Sequence, residues 1–239
     1  MKCEPCISVG EAQIARIPDC APYARYWELR LDLSPELMAD PGAKGAEVRA
    51  ALRGVPQGVV AYKELLVGDE GTFLANFHRV VDPLLAMGFS ILDLDISVLA
   101  HLKVDKSSAC PIHRALRIPA SVRLIASKHF AEYAPQRVSN LVAMSWQLGA
   151  AWGKVVFPCS DAQQCQEIID FQRHYAGMIF LGMGLAGQRT RVECVEHGAP
   201  FSYVHLGRPT APGQLSLQEY LVATRGQGDS DSARRGVGA

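Results

Sequence analysis

Eight short apolar runs, with helix-patterned stretches between them, constrain the fold of this chain more than any other feature. They are "CISV" (6–9), "WELRLDL" (27–33), "GVVAY" (58–62), "SILDLDI" (90–96), "VRLIAS" (122–127), "GKVVFP" (153–158), "GMIFLGMG" (177–184) and "FSYVHLG" (201–207). Their Val, Ile, Leu and Phe content is that of strands covered on both faces. Between them, "GTFLANFHRVVDPLLAMG" (71–88) sets Phe73, Phe77, Val80, Val81 and Leu84 on one side, with Pro83 expected to kink the helix. "APQRVSNLVAMSWQLGA" (134–150) shares a stripe of Val138, Leu141, Val142 and Leu148, with Pro135 near its start. "SDAQQCQEIIDFQRHYAG" (160–177) opens on Ser160 as N-cap and closes at Gly177, and "SLQEYLVATRG" (216–226) gives a last helix ending at Gly226.

Strand–helix alternation repeated in this way means a parallel sheet with crossover helices. Eight units in about 225 residues is the usual size of a closed barrel. An open doubly wound sheet is the alternative, but no GxGxxG follows the first strand, which disfavours its dinucleotide-binding version. The expected fold is therefore α/β, a single-domain (β/α)8 TIM barrel over residues 1–225. Residues 226–239, "GQGDSDSARRGVGA", hold too little apolar surface to offset ordering entropy and are expected to form a disordered tail or linker.

Twenty-four basic residues balance twenty-four acidic ones, so nothing favours electrostatic capture of nucleic acid or of an anionic membrane. No apolar stretch approaches the roughly 20 residues of a membrane span. "MKCEPCISVG" lacks the apolar core of a secretory signal. Seven cysteines, scattered singly, fit reduced thiols in the cytoplasm or nucleus. Cys3 and Cys6 have CxxC spacing, but no second CxxC or His pair completes a zinc site, so no metal is expected.

In a barrel the C-terminal strand ends and the loops after them build the site. Polar residues inside strands are accordingly the ones to question. Glu28, Arg30 and Asp32 alternate with leucines and share a face, expected to be the lumen, although an edge strand with one solvated face gives the same pattern. Asp93 and Asp95 repeat the pattern, and His129 ends the fifth run. An isolated histidine is most often a structural hydrogen-bonding residue, and a lysine such as Lys154 most often snorkels to water. A lysine held among apolar walls or near other cations instead becomes an amine nucleophile toward carbonyls, with a nearby histidine moving protons. After the seventh run, "GMGLAGQRTR" (182–191) offers glycine amides and Arg191 to an anion. After the eighth, "PTAPGQ" (209–214) offers Thr210 and Gln214 as neutral partners.

Taken in order, "ELRLDL", "ASKH", "LGAAWGKVVF", "GMGLAGQRTR" and "APGQLSL" resemble the type I 3-dehydroquinate dehydratases, and the resemblance runs from "CISV" to "SLQEYLVA". It implies a (β/α)8 barrel that removes water from 3-dehydroquinate through a lysine Schiff base. Lys154 would form the imine, and His129 would act as general acid and base. Glu28 and Arg30 would line the substrate site, Arg191 would hold the substrate carboxylate, and Thr210 and Gln214 would belong to a closing loop. The iminium would serve as electron sink, so the resemblance implies no metal or organic cofactor.

The departures from that pattern carry weight. The family's third-strand arginine, in a "TxR" context, is expected to fall at Tyr62 of "VVAYKELL", with Lys63 pointed elsewhere by side-chain alternation. Thr210 replaces a serine, Phe130 follows His129 where Asp or Asn is usual, and Asp95 replaces a glutamate. The expected reading is a dehydroquinase-like domain that binds a quinate/shikimate-pathway ligand and catalyses weakly or not at all. It looks closest to the fungal AROM and quinate-repressor domains, and would be the sensor of a quinate-pathway transcription repressor. The expected partners are that small molecule, flanking domains or an activator protein, and a second copy in a homodimer, with no nucleic-acid or membrane contact from this domain. An active 3-dehydroquinate dehydratase is the alternative. A barrel aldolase with a Schiff-base lysine explains Lys154 but not the two glycine loops.

Overall fold

A computed structural model describes residues 4–63, 69–102 and 111–234. Strands β1 (Pro5–Val9), β2 (Tyr26–Arg30), β3 (Gln57–Tyr62), β4 (Ile91–Asp95), β5 (Arg123–His129), β6 (Trp152–Pro158), β7 (Ile179–Met183) and β8 (Ser202–His205) fall on the eight apolar runs. A short β9 (Leu215–Ser216), not expected from the sequence, follows them. The helices are α1 (Pro35–Ala39), α2 (Gly45–Gly54), α3 (Glu70–Met87), α4 (Ile96–His101), α5 (Pro111–Leu116), α6 (Val138–Gln147), α7 (Ala162–His174), α8 (Thr190–Glu196) and α9 (Leu217–Arg234).

Local chemistry sets these boundaries. The Asp69 carboxylate accepts from the Thr72 amide to start α3, and Gly88, at φ 117°, ends it in the left-handed region that glycine tolerates. Helix α3 runs through Pro83 as one element and buries Phe73, Phe77, Val80, Val81 and Leu84, the expected stripe. At α7 the cap is Asp161 rather than Ser160, because its carboxylate accepts from the Gln164 amide at 2.9 Å. Helix α9 continues past Gly226, where sequence reading ended it, to Arg234. The last five residues of the expected tail, 235–239, lie outside the described residues, as does Cys3 of the CxxC pair. Among the described residues, no helix is long and apolar enough to cross a membrane.

Every strand pairs in parallel with its sequence neighbour from β1 to β7, β8 pairs with β1, and β9 adds to β8. The sheet curls round one interior. Val59, Ile91, Ile125, Val156, Ile179, Leu181, Phe201 and Tyr203, with Cys6, pack together inside it, and the alternate residues pack outward beneath the helices. Residues of β7 and β8 meet in this inner layer. Among the described residues they do so through side chains rather than a strand ladder, since β9 takes the edge of β8 at Val204 and His205. Cys6 lies fully buried in that layer.

Strict alternation corrects two expectations. Strand β2 ends at Arg30, and Leu31–Leu33 forms a 3-10 turn, so Asp32 leaves the inward-facing row and turns back to Arg30 at 2.6 Å. In β3 the inner layer takes Val59, so Tyr62 faces outward, where it meets Phe77 and Phe73 of α3 at ring-centroid distances of 5.5 and 6.2 Å. The chain position that faces the interior at this strand end is Lys63. Its ammonium donates to Asp93 at 2.9 Å and to the Ser127 hydroxyl at 3.1 Å. Tyr62 is thus a packing residue of the outer core. Tyr62→Ala is expected to destabilise the fold by about 3 kcal/mol, as for other large buried aromatics, read as a fall in the urea midpoint with unchanged m-value.

Candidate active site in the barrel mouth

Lys154 stands at the centre of the interior. Its position on β6, opposite Ser127 of β5, puts it on the inward row one pleat above Trp152. The side chain is 4% exposed, so it does not snorkel. Its ammonium donates to Asp93 Oδ2 on β4 and lies 3.7 Å from Glu28 Oε1 on β2. It also lies 3.4 Å from the Tyr203 hydroxyl and 4.5 Å from that ring's centroid, on β8. One amine reaches three other strands only because the sheet curls around it.

The charges here are strongly coupled. Burial works against the Lys154 ammonium, but Asp93 and Glu28 outweigh it and raise its pKa. Burial likewise opposes the Asp93 carboxylate, and the Lys154 and Lys63 ammoniums overcome it, holding the acid far below the usual carboxylate range. Lys63 goes the other way. Desolvation lowers its pKa, and the charge of Lys154 adds to that, against the pull of Asp93. The two lysines divide one carboxylate between them.

His129 lies on the same inward row as Ser127, two residues further along β5 and so roughly 6–7 Å toward the mouth. Enclosure by the barrel, then the Lys154 and Lys63 charges, hold its pKa well below the ordinary imidazole value. The residue nonetheless keeps solvent exposure at the barrel opening. The result is a neutral imidazole at the opening, which is the form a general base needs. Phe130, the next residue, points away and stacks on Phe157 at 5.0 Å.

A hydrogen-bonded chain ties Lys154's surroundings to the rim. Gln214 Oε1 accepts from the Thr210 amide at 2.6 Å. The Thr210 hydroxyl, also 2.9 Å from that oxygen, donates to Ser8 at 2.9 Å, and the Ser8 hydroxyl donates to Glu28 Oε2 at 2.6 Å. Arg30 forks onto Asp32 at 2.8 and 2.6 Å and donates to the Thr210 carbonyl at 3.2 Å. Thus Glu28, Arg30, Thr210 and Gln214 come together at the mouth, whereas Asp32 serves as the clamp on Arg30.

Arg191 is placed by the glycine loop after β7. Gly187 crosses so close to Gly182 that a β-carbon there would sit 2.4 Å from the Gly182 carbonyl carbon. The Thr190 hydroxyl locks this crossing, accepting from the Gly182 amide at 2.9 Å and donating to the Gly187 carbonyl at 2.6 Å. Arg191 follows in the first turn of α8, 2% exposed, with Nη2 donating to the Pro212 carbonyl at 3.3 Å. Among the described residues its Nε has no hydrogen-bond partner and its charge no acidic one. Burial alone pushes its pKa down to about 10. A guanidinium that is buried, oriented and lacks a counterion is a receptor for a carboxylate or phosphate.

Sequence reading missed Ser8 and Tyr203 as members of the site, pointed Lys63 elsewhere, and singled out Asp93 as a strand polar residue without giving it a role. The signal for Lys63 was present. "AYK" puts Ala61 and Lys63 on the inward row with the spacing of a "TxR" motif, and the basic residue had been sought one position too early. Ser8 and Tyr203 alternate with Cys6 and Phe201 on the inward rows of β1 and β8.

The profile of the Type I 3-dehydroquinase family matches residues 6–228. A 3-dehydroquinate dehydratase of Methanothrix thermoacetophila is 24% identical over 201 residues, covering 83% of this chain and 80% of that one. One of Pyrobaculum aerophilum is 30% identical over 125 residues, covering 50% of this chain and 41% of that one. The crystal structure of 3-dehydroquinate dehydratase from Geobacillus kaustophilus superimposes with a TM-score of 0.75 at 13% identity, covering 96% of this chain and 92% of that one. With a matched span running from the first strand into the last helix, the chain belongs to the Type I 3-dehydroquinase family.

Proposed function

We propose that the barrel mouth binds 3-dehydroquinate and eliminates water from it through an imine on Lys154. The observation that carries this reading is the interior lysine amine coupled, through the 210–214 loop, to a buried guanidinium with no acidic partner among the described residues. A ring that bears both a ketone and a carboxylate satisfies both groups. The ketone meets Lys154 and the carboxylate meets Arg191. The Lys154 nitrogen, once its ammonium has given up a proton, attacks the carbonyl carbon, and the ketone oxygen leaves as water with that proton and one more from the nitrogen, giving an iminium. This acidifies the adjacent C–H. Neutral His129 takes that proton, the electron pair shifts into an enamine, and the β-hydroxyl departs with the proton His129 returns. Hydrolysis of the conjugated iminium then releases the enone and the amine.

A second reading is favoured by the ion pair that keeps Lys154 protonated against Asp93. It retains the ligand and drops the turnover, giving the sensor domain of a quinate-pathway transcription repressor of the fungal kind. Its original motive, a third-strand cation lost at Tyr62, is weakened because Lys63 brings a cation to that strand end.

Incubation with 3-dehydroquinate, followed by ultraviolet absorbance of the conjugated enone and by borohydride trapping, separates the two. Turnover with an adduct mapped to Lys154 is the expected result. An adduct without turnover moves the assignment to the sensor, and absence of both adduct and binding overturns both readings. His129→Gln is expected to slow elimination by about 10²–10⁴-fold while the Lys154 adduct still traps. Arg191→Met removes a buried charge that has no acidic partner among the described residues. It is expected to stabilise the unliganded protein by on the order of 1 kcal/mol in urea melts, while weakening 3-dehydroquinate binding by about 100-fold, equivalent to ~3 kcal/mol, in calorimetry.

A further inference from the structure

The imine chemistry proposed above leaves one requirement unmet by the groups named for it. An amine attacks a carbonyl only without its proton, and Lys154 faces two acids. The groups that bear on it come from every side of the interior. Asp93 on β4 and Glu28 on β2 favour the ammonium, and Arg30 on β2 opposes it. The Cys6 thiol on β1 and the Tyr203 phenol on β8 are held protonated by burial and add no formal charge. His129 on β5 is neutral. Lys63, at the end of β3, is the remaining charge, and it touches the same carboxylate as Lys154 through the other oxygen.

The geometry points to Lys63 as the positioning residue that readies Lys154 for imine formation. By occupying Oδ1 of Asp93, its ammonium weakens the hold of that carboxylate on the ammonium at Oδ2. The inference rests on the Schiff-base reading of the site, and it assigns Lys63 an action through Asp93 rather than on the substrate. Two observations besides the shared acid support it. Lys63 is fixed in place by a second acceptor, the Ser127 hydroxyl at 3.1 Å, so its charge cannot swing away from Asp93 without losing both bonds. Its side chain is also 18% exposed against 4% for Lys154, which puts Lys63 on the mouth side of the shared carboxylate and Lys154 beneath. The proton balance closes without an outside reagent. The ammonium and the ketone carry one positive charge between them, the iminium carries the same charge, and the two hydrogens shed by the Lys154 nitrogen leave in the water.

Competitive labelling with trace acetic anhydride across a pH series, read by peptide mass spectrometry on the unliganded protein, measures the Lys154 amine directly. In Lys63→Gln, which retains a donor toward Asp93 and Ser127 but no charge, Lys154 labelling at pH values where Lys63 is an ammonium is expected to fall about tenfold, the effect of one pH unit on its proton affinity. Lys63→Arg is expected to restore the labelling. Unchanged labelling in the Gln variant, or an Arg variant that behaves like Gln, overturns the inference. If circular dichroism shows the Gln variant unfolded, the unaltered protein still decides. Lys154 labelling must then climb less than tenfold per pH unit across the range in which Lys63 loses its proton, and an unbroken tenfold climb sinks the idea. Because the labelling needs no ligand, failure to trap 3-dehydroquinate removes the proposed reaction without touching this result, and the converse also holds.

Discussion

The ion pair between Lys154 and Asp93 organises the interior of this barrel. Both side chains are buried, and a charge taken out of bulk water is costly to hold without a partner. Around the pair the structure arranges its remaining polar groups. Lys63 and Ser127 lie on one side, Glu28 and Ser8 on the other, and Thr210 and Gln214 join them to the rim. Paired buried charges rarely improve on a well-packed apolar core. The layer below them, with Ile91, Ile125, Ile179 and Phe201, and the larger outer core supply the stability that the polar layer does not. Stability and chemistry therefore occupy different heights of the same barrel.

Two arginines show how differently the site treats the same side chain. Arg30 has its own acid, Asp32, in a bidentate clamp and a second bond to the Thr210 carbonyl. It is satisfied before any ligand arrives. Among the described residues Arg191 has a lone carbonyl acceptor, and its guanidinium is held below its ordinary basicity by burial. The first holds a loop and the second is held by one, through the Gly182–Gly187 crossing. The charge without an acidic partner is the one that a ligand would complete.

The fold was legible because strand-forming runs and helical stripes each carry a period that local sequence displays. All eight runs became strands, and the α3 stripe is buried as read. What periodicity does not supply is the last residue of a strand. At β2 the pattern continued to Asp32 although the strand stops at Arg30, and at β3 it stopped at Tyr62 although the inward row continues to Lys63. A shift of one residue turns a side chain to the other face. The same shift converted a pocket cation into an apparent loss. The site was legible in residues that are chemically unusual for their surroundings, such as Lys154. It was less so in Ser8 and Tyr203, whose types are common in strands and whose roles come only from neighbours distant in sequence.

The seam between β7 and β8 gives the loops at the mouth a mechanical meaning. Among the described residues these strands share side-chain packing but no ladder, and at the mouth the Gly184 amide donates to the Pro212 carbonyl at 3.2 Å. Gly213 lies so near Gly184 that a β-carbon there would sit 2.1 Å from the Gly184 oxygen, which leaves no room for a side chain between the two edges. Arg191 sits on one side of this seam and Thr210 with Gln214 on the other. Any molecule that bonds to both sides acts as a clasp on a hoop, and the circumference of the barrel is then completed by its cargo.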